Sequence, residues 1–144
     1  VHEPAVVAID LGGTNVRLAL VSPQGKILSR WEWATATMPD KAALVAALAA
    51  DLARADEDAR ENGWEIKGAG LGVPGRVLPR EGRVVFSPNV AALNDCRLVD
   101  HLSLAVNWPV FLENDANLFA LGEHWLGAGA GHDQMLGITL GTGV

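Results

Sequence analysis

Asp10-Leu11-Gly12-Gly13-Thr14-Asn15-Val16-Arg17 lies between two short apolar runs, Val6 to Ile9 and Leu18 to Val21. The runs are aliphatic and rich in β-branched residues, and a Gly-Gly-Thr-Asn segment joins them, which predicts a β-hairpin with the functional groups in its turn. Two glycines permit positive φ and close approach, so the N–H groups of Gly12, Gly13, Thr14 and Asn15 form a seat for a phosphate. Thr14 and Asn15 add side-chain donors, and the Asp10 carboxylate suits Mg2+ held through water. An ordinary hairpin turn uses the same residues.

A second segment breaks that tie. Leu136-Gly137-Ile138-Thr139-Leu140-Gly141-Thr142-Gly143 again runs from an apolar stretch into a threonine flanked by glycines. Two strand-then-turn segments of this kind in one chain read as two jaws on one polyphosphate. Between them stand Gly72-Val73-Pro74-Gly75, Pro88-Asn89 and Glu113-Asn114-Asp115.

The rest of the chain supplies a scaffold. Lys26 to Trp33 suits a half-exposed edge strand, so three antiparallel strands open the fold. Asp40 is placed to cap a helix from about Lys41 to Asn62, with Leu44, Leu48, Leu52, Ala55 and Ala59 as its apolar stripe and Gly63 ending it. Ile66 to Val73 follows as a strand, and strand, helix, strand implies a parallel neighbour. Arg76 to Leu78 and Arg83 to Phe86 read as a hairpin. Arg97 to Val106 reads as a helix with Leu98, Leu102 and Ala105 inward, Val110 to Leu112 as a strand, and Ala116 to Trp125 as a helix. The pattern is α/β, and open α/β sheets bind ligands at the C-terminal ends of their strands. Gly72 to Gly75 and Glu113 to Asp115 both fall there. Asp115 also suits the role of helix N-cap, and the two roles are compatible.

Composition narrows the class. The 144 residues are 49% hydrophobic, with 17 acidic against 11 basic side chains and a net charge of -6. No basic cluster offers a footprint for a nucleic-acid backbone, and no tract has the length and composition to span a bilayer. The lone Cys96 precludes an intramolecular disulfide and suits a reducing compartment, so the cytoplasm is the expected location. Four scattered histidines and one cysteine assemble no zinc site. Gly127-Ala128-Gly129-Ala130-Gly131 follows a helix pattern rather than a strand, so it reads as a flexible linker and not a dinucleotide fingerprint.

Taken in order, DLGGT, GVPG, PN, END and LGTG resemble the ROK family of sugar kinases and sugar-responsive repressors, within the actin-like ATPase superfamily, and its glucokinases above all. The resemblance runs from Asp10 to Val144. It implies an actin-like (ribonuclease H-like) α/β domain over residues 1–116, with a mixed sheet of three antiparallel strands followed by parallel ones, and the beginning of a second domain over 117–144. The implied activity is transfer of a phosphoryl group from ATP to a hexose hydroxyl, glucose to glucose 6-phosphate, with this chain the N-terminal part of a longer enzyme and inactive alone. Asp115 is then the general base. Gly75, Asn89 and Asn114 join it in binding sugar, Gly12 to Asn15 and Gly141, Thr142 and Gly143 hold nucleotide, and Asp10 serves Mg2+. A structural zinc is implied only beyond residue 144, and a homo-oligomer only at full length. Polyphosphate is an alternative donor. The other readings are a non-catalytic or regulatory member of the family and an actin-like ATPase that acts on no sugar.

Overall fold

The computed structural model describes residues 2–140. Strands β1 (Glu3–Leu11), β2 (Asn15–Val21) and β3 (Ile27–Ala34) pair antiparallel in sequence. Helix α1 (Lys41–Glu61) then leads to β4 (Trp64–Val73), which lies parallel to β1 on the far side from β2. Strands β5 (Arg76–Leu78) and β6 (Arg83–Phe86) form a separate hairpin, and helix α2 (Leu98–Leu102) leads to β7 (Val110–Asn114), parallel to β4. The main sheet has the order β3-β2-β1-β4-β7. Helix α3 (Asp115–Leu126) follows β7 directly.

The sheet has two unlike faces because side chains alternate along each strand. On one, Val7, Ile9 and Leu11 of β1, Val16, Leu18 and Leu20 of β2, and Leu71 and Val73 of β4 are buried with the α1 stripe of Leu44, Leu48, Leu52, Ala55 and Ala59. Each buried leucine contributes roughly 1.5–3 kcal/mol, so this layer carries the fold. Asp40 caps α1 by accepting from the Ala43 N–H at 2.9 Å, and Gly63 takes the left-handed φ of +77° just beyond its end.

Polar contacts join α1 to the sheet edge, and Ser29 Oγ donates to Asp58 in one of them. Asp51, only 9% exposed, accepts from the indoles of Trp31 at 3.0 Å and Trp33 at 2.6 Å, one on each carboxylate oxygen. The guanidinium of Arg54 lies 5.1 Å from the Trp31 ring centre. Asp51→Ala strands both indoles, and hydrogen bonds to a charged group are worth about 1.5–3 kcal/mol each. The expected loss is about 2–4 kcal/mol in urea unfolding, reduced from the full sum because water reaches both half-buried rings.

Four expectations need correction. The second helix covers only Leu98–Leu102, so Ala105 falls after its end and is exposed, while Leu98 and Leu102 are buried as expected. The cap of α3 is Asn114, whose Oδ1 accepts from the N–H groups of Ala116 and Asn117; Asp115 is the first residue of the helix itself. The glycine-rich segment after α3 is tied down. The N–H groups of Gly127 and Gly129 donate to Glu123 O, and the N–H of Ala128 donates to the Glu123 side chain. Finally, residues 136–140 form no strand, and Leu136, Ile138 and Leu140 are 64–85% exposed. No neighbouring strand among the described residues offers them a ladder, and an unpaired run of this length has nothing to hold it extended.

Candidate active site

Register brings the motifs together. Asp10 of β1 pairs with Gly72 of β4, which pairs with Glu113 of β7, and Val73 pairs with Asn114. The DLGGT turn, the GVPG turn and the END turn therefore leave three adjacent parallel strands at the same level. Asp10 and Glu113 stand two strand spacings apart, about 10 Å. Gly72 between them has a second role that sequence reading missed: a Cβ there would lie 3.3 Å from Leu118 Cδ1 and 3.6 Å from Asp115 Cα. Its missing side chain lets the first turn of α3 settle on the sheet. A cleft of about 740 Å³ opens on this face, with Asp10, Arg17, Gly72 and Asp115 among its lining residues.

Hydrogen bonds orient the END turn. Asn114 uses Oδ1 to cap α3 and donates from Nδ2 to Gly75 O at 3.0 Å, which fastens the END turn to the GVPG turn. Glu113 accepts from the Asn114 N–H at 2.8 Å and from the Asn117 amide at 3.0 Å. Asp115 accepts from the Ala116 N–H through Oδ1 at 2.9 Å. Its Oδ2 makes no hydrogen bond or ion pair among the described residues. A half-buried carboxylate with one oxygen fixed and the other available has the form of a proton acceptor.

The PN loop closes on the other two turns. Gly75 has φ +103°, and a Cβ on it would lie 2.9 Å from Ser87 Cα and 3.1 Å from Pro88 Cδ, so only glycine lets these loops meet. The Ser87 N–H donates to Asn94 Oδ1 at 2.8 Å. At Gly13 a Cβ would lie 2.7 Å from Asn89 O and 2.9 Å from Asn89 Cβ. The DLGGT turn thus rests directly on Asn89, which is exposed.

The phosphate turn differs from expectation in two respects. Neither Gly12 nor Gly13 has a positive φ, so the need for glycine at 13 comes from the approach of Asn89 rather than from backbone conformation. The Gly12 N–H donates to Asn15 O at 2.9 Å and closes the turn, which withdraws it from the set of phosphate donors. The N–H groups of Gly13 and Thr14 meet no acceptor among the described residues. Arg17 sits 3.6 Å from Asp10 and 3.1 Å from Glu32, exposed pairs of small energetic weight. No cluster of three His, Cys, Asp or Glu occurs among the described residues. A single carboxylate at Asp10 fits Mg2+, which keeps most of its waters and takes phosphate oxygens as partners. Gly141, Thr142 and Gly143 lie outside the described residues. Cys96 is buried, and burial pushes its thiol above the ordinary range, as befits a packed side chain rather than a nucleophile.

Strand order, the hairpin turn and the helix leaving the END turn together define an actin-like ATPase domain, mixed in its sheet and α/β in its layers. More narrowly, the chain belongs to the ROK family, whose model matches residues 6–144. It is 39% identical to a glucokinase of Thermotoga maritima over 139 residues, spanning 96% of this chain and 42% of that protein. It is 36% identical to the N-acetylgalactosamine kinase AgaK of a Shewanella species, spanning 94% of this chain and 42% of the relative. Among solved structures, a ROK family glucokinase from Streptomyces griseus in complex with glucose and AMPPNP superposes with a TM-score of 0.77 and 36% identity, covering 90% of this chain and 39% of that one. The chain therefore spans about two fifths of the length of these relatives. Among the described residues no helix is long and apolar enough to cross a membrane.

Proposed function

We propose that the protein containing this chain transfers a phosphoryl group from ATP to a hydroxyl of a hexose, with glucose the first candidate. The observation that supports it best is the register of β1, β4 and β7, which brings the three turns to one level, with Asp10, Gly72 and Asp115 lining one cleft. The named relatives act on sugars, and one was solved with glucose and AMPPNP.

In this reading Asp115 Oδ2 accepts the proton of the sugar hydroxyl as its oxygen bonds to phosphorus. That hydroxyl is a very weak acid until the bond forms, so the base works late, and positioning and charge stabilisation supply most of the rate. The N–H groups of Gly13, Thr14 and Asn15 receive phosphate oxygens from one side, and Gly141 to Gly143 from the other. Asn89 and the Gly75 backbone orient the sugar. Asn114, with one Nδ2 hydrogen left after its bond to Gly75, assists them. Mg2+ held by Asp10 through water would offset phosphate charge. Residues 1–116 form the first domain in this proposal and 117–144 begin the second. The protein works in the cytoplasm as a homo-oligomer.

An assay of sugar phosphate formation by the protein at its full encoded length, with ATP or polyphosphate and a panel of hexoses and their N-acetyl derivatives, tests the reading. Sugar-dependent turnover is expected, and sugar binding without turnover would favour a regulatory member of the family. The isolated 144-residue chain is expected to show no measurable turnover, because it spans so little of its relatives' length; robust turnover from it would contradict that.

A further inference from the structure

Thr35 belongs to none of the motifs above, yet it is a buried polar side chain, 8% exposed, immediately after β3. Its Oγ1 donates to Gly12 O at 2.6 Å, and its N–H donates to Thr14 O at 2.8 Å. One residue thus grips both carbonyls that flank the centre of the phosphate turn. All peptides here are trans, and in a trans peptide the C=O and the following N–H point in opposite directions. Drawing the carbonyls of Gly12 and Thr14 toward Thr35 therefore turns the N–H groups of Gly13 and Asn15 the other way. Thr35 is itself held in place, since Trp33, two residues earlier, is anchored through its indole to Asp51 on α1.

We propose that Thr35 is a positioning residue for the nucleotide phosphates. It keeps two carbonyl dipoles out of the anion seat and fixes the opposed N–H groups toward it. The role depends on the hydroxyl. Without it the Gly12 carbonyl has no donor, the peptide between Gly12 and Gly13 is free to rotate, and an oxygen can swing toward the phosphate where an N–H is needed. The proposal rests on the kinase reading above, and the experiment separates the two.

In the protein at its full encoded length, Thr35→Val removes the hydroxyl at nearly constant shape, Thr35→Ala removes it without adding bulk, and Thr35→Ser retains it. KM for ATP and Kd for AMPPNP are expected to rise about tenfold in the Val and Ala variants, with the sugar KM within about twofold of the parent and the Ser variant close to the parent throughout. The Ala variant carries the test if the Val variant does not fold. Unchanged nucleotide affinity in a folded Val or Ala variant, or equal losses for sugar and nucleotide, would overturn the positioning role and leave the kinase reading intact. A parent protein that binds no nucleotide and turns over no sugar would overturn both.

Discussion

Replacing Asp115 by Asn in the full-length protein is expected to lower kcat by about 100-fold or more, within the range for loss of the proposed general base, with thermal unfolding and the sugar KM little changed. The expectation follows from how the two ends of this side chain are used. Oδ1 is occupied by the Ala116 N–H, a bond that an amide oxygen makes equally well. Oδ2 has no partner among the described residues, and there the substitution exchanges a proton acceptor for a donor. The cap of α3 is not at risk, because Asn114 supplies it. Single-turnover measurement with pre-bound sugar separates chemistry from binding, and a variant that keeps its rate would remove Asp115 from the mechanism.

Gly13→Val is expected to raise the KM values for nucleotide and sugar together, by about tenfold or more each. A Cβ at this position would stand 2.7 Å from Asn89 O, closer than such contacts occur, and a branched side chain adds to the overlap. Relief requires the phosphate turn and the PN loop to separate, and overpacking of this kind costs typically about 1–3 kcal/mol. Both ligands lose because the turn proposed to hold phosphate and the asparagine proposed to hold sugar share one contact. Titration with AMPPNP and with glucose checks this. A loss confined to nucleotide would remove Asn89 from the sugar site.

What the sequence reveals here depends on how local the signal is. The stripe of Leu44, Leu48, Leu52, Ala55 and Ala59 repeats at helical spacing, and all five are buried. The hairpin turn, the edge position of β3 and the parallel placement of β4 are equally local or follow from element order. Asp51 is different. On a helix face crowded with charge it looks like one more solvated carboxylate, and only the pairing of β3 with β2 brings two indoles over it. Thr35 is hidden for the same reason: both its acceptors lie more than twenty residues earlier in the chain. Gly72 reads as a strand-ending glycine until α3 is seen resting against it. The Leu136 to Leu140 run shows the opposite failure, for its composition suits a strand but a strand needs a neighbour.

The two faces of the central sheet leave different latitude for change. Toward α1 the side chains interlock, and altering one disturbs many. On the cleft face Ala8, Ala19 and Gly70 present little or no side chain, and a Cβ on Gly70 would meet nothing within 4 Å. At these three positions the wall of the cavity is set by residues on which the interior does not depend. Divergent descendants of such a sheet can remodel the wall of the cleft by single substitutions while inheriting an unaltered foundation, which decouples novelty from folding in one layer of backbone.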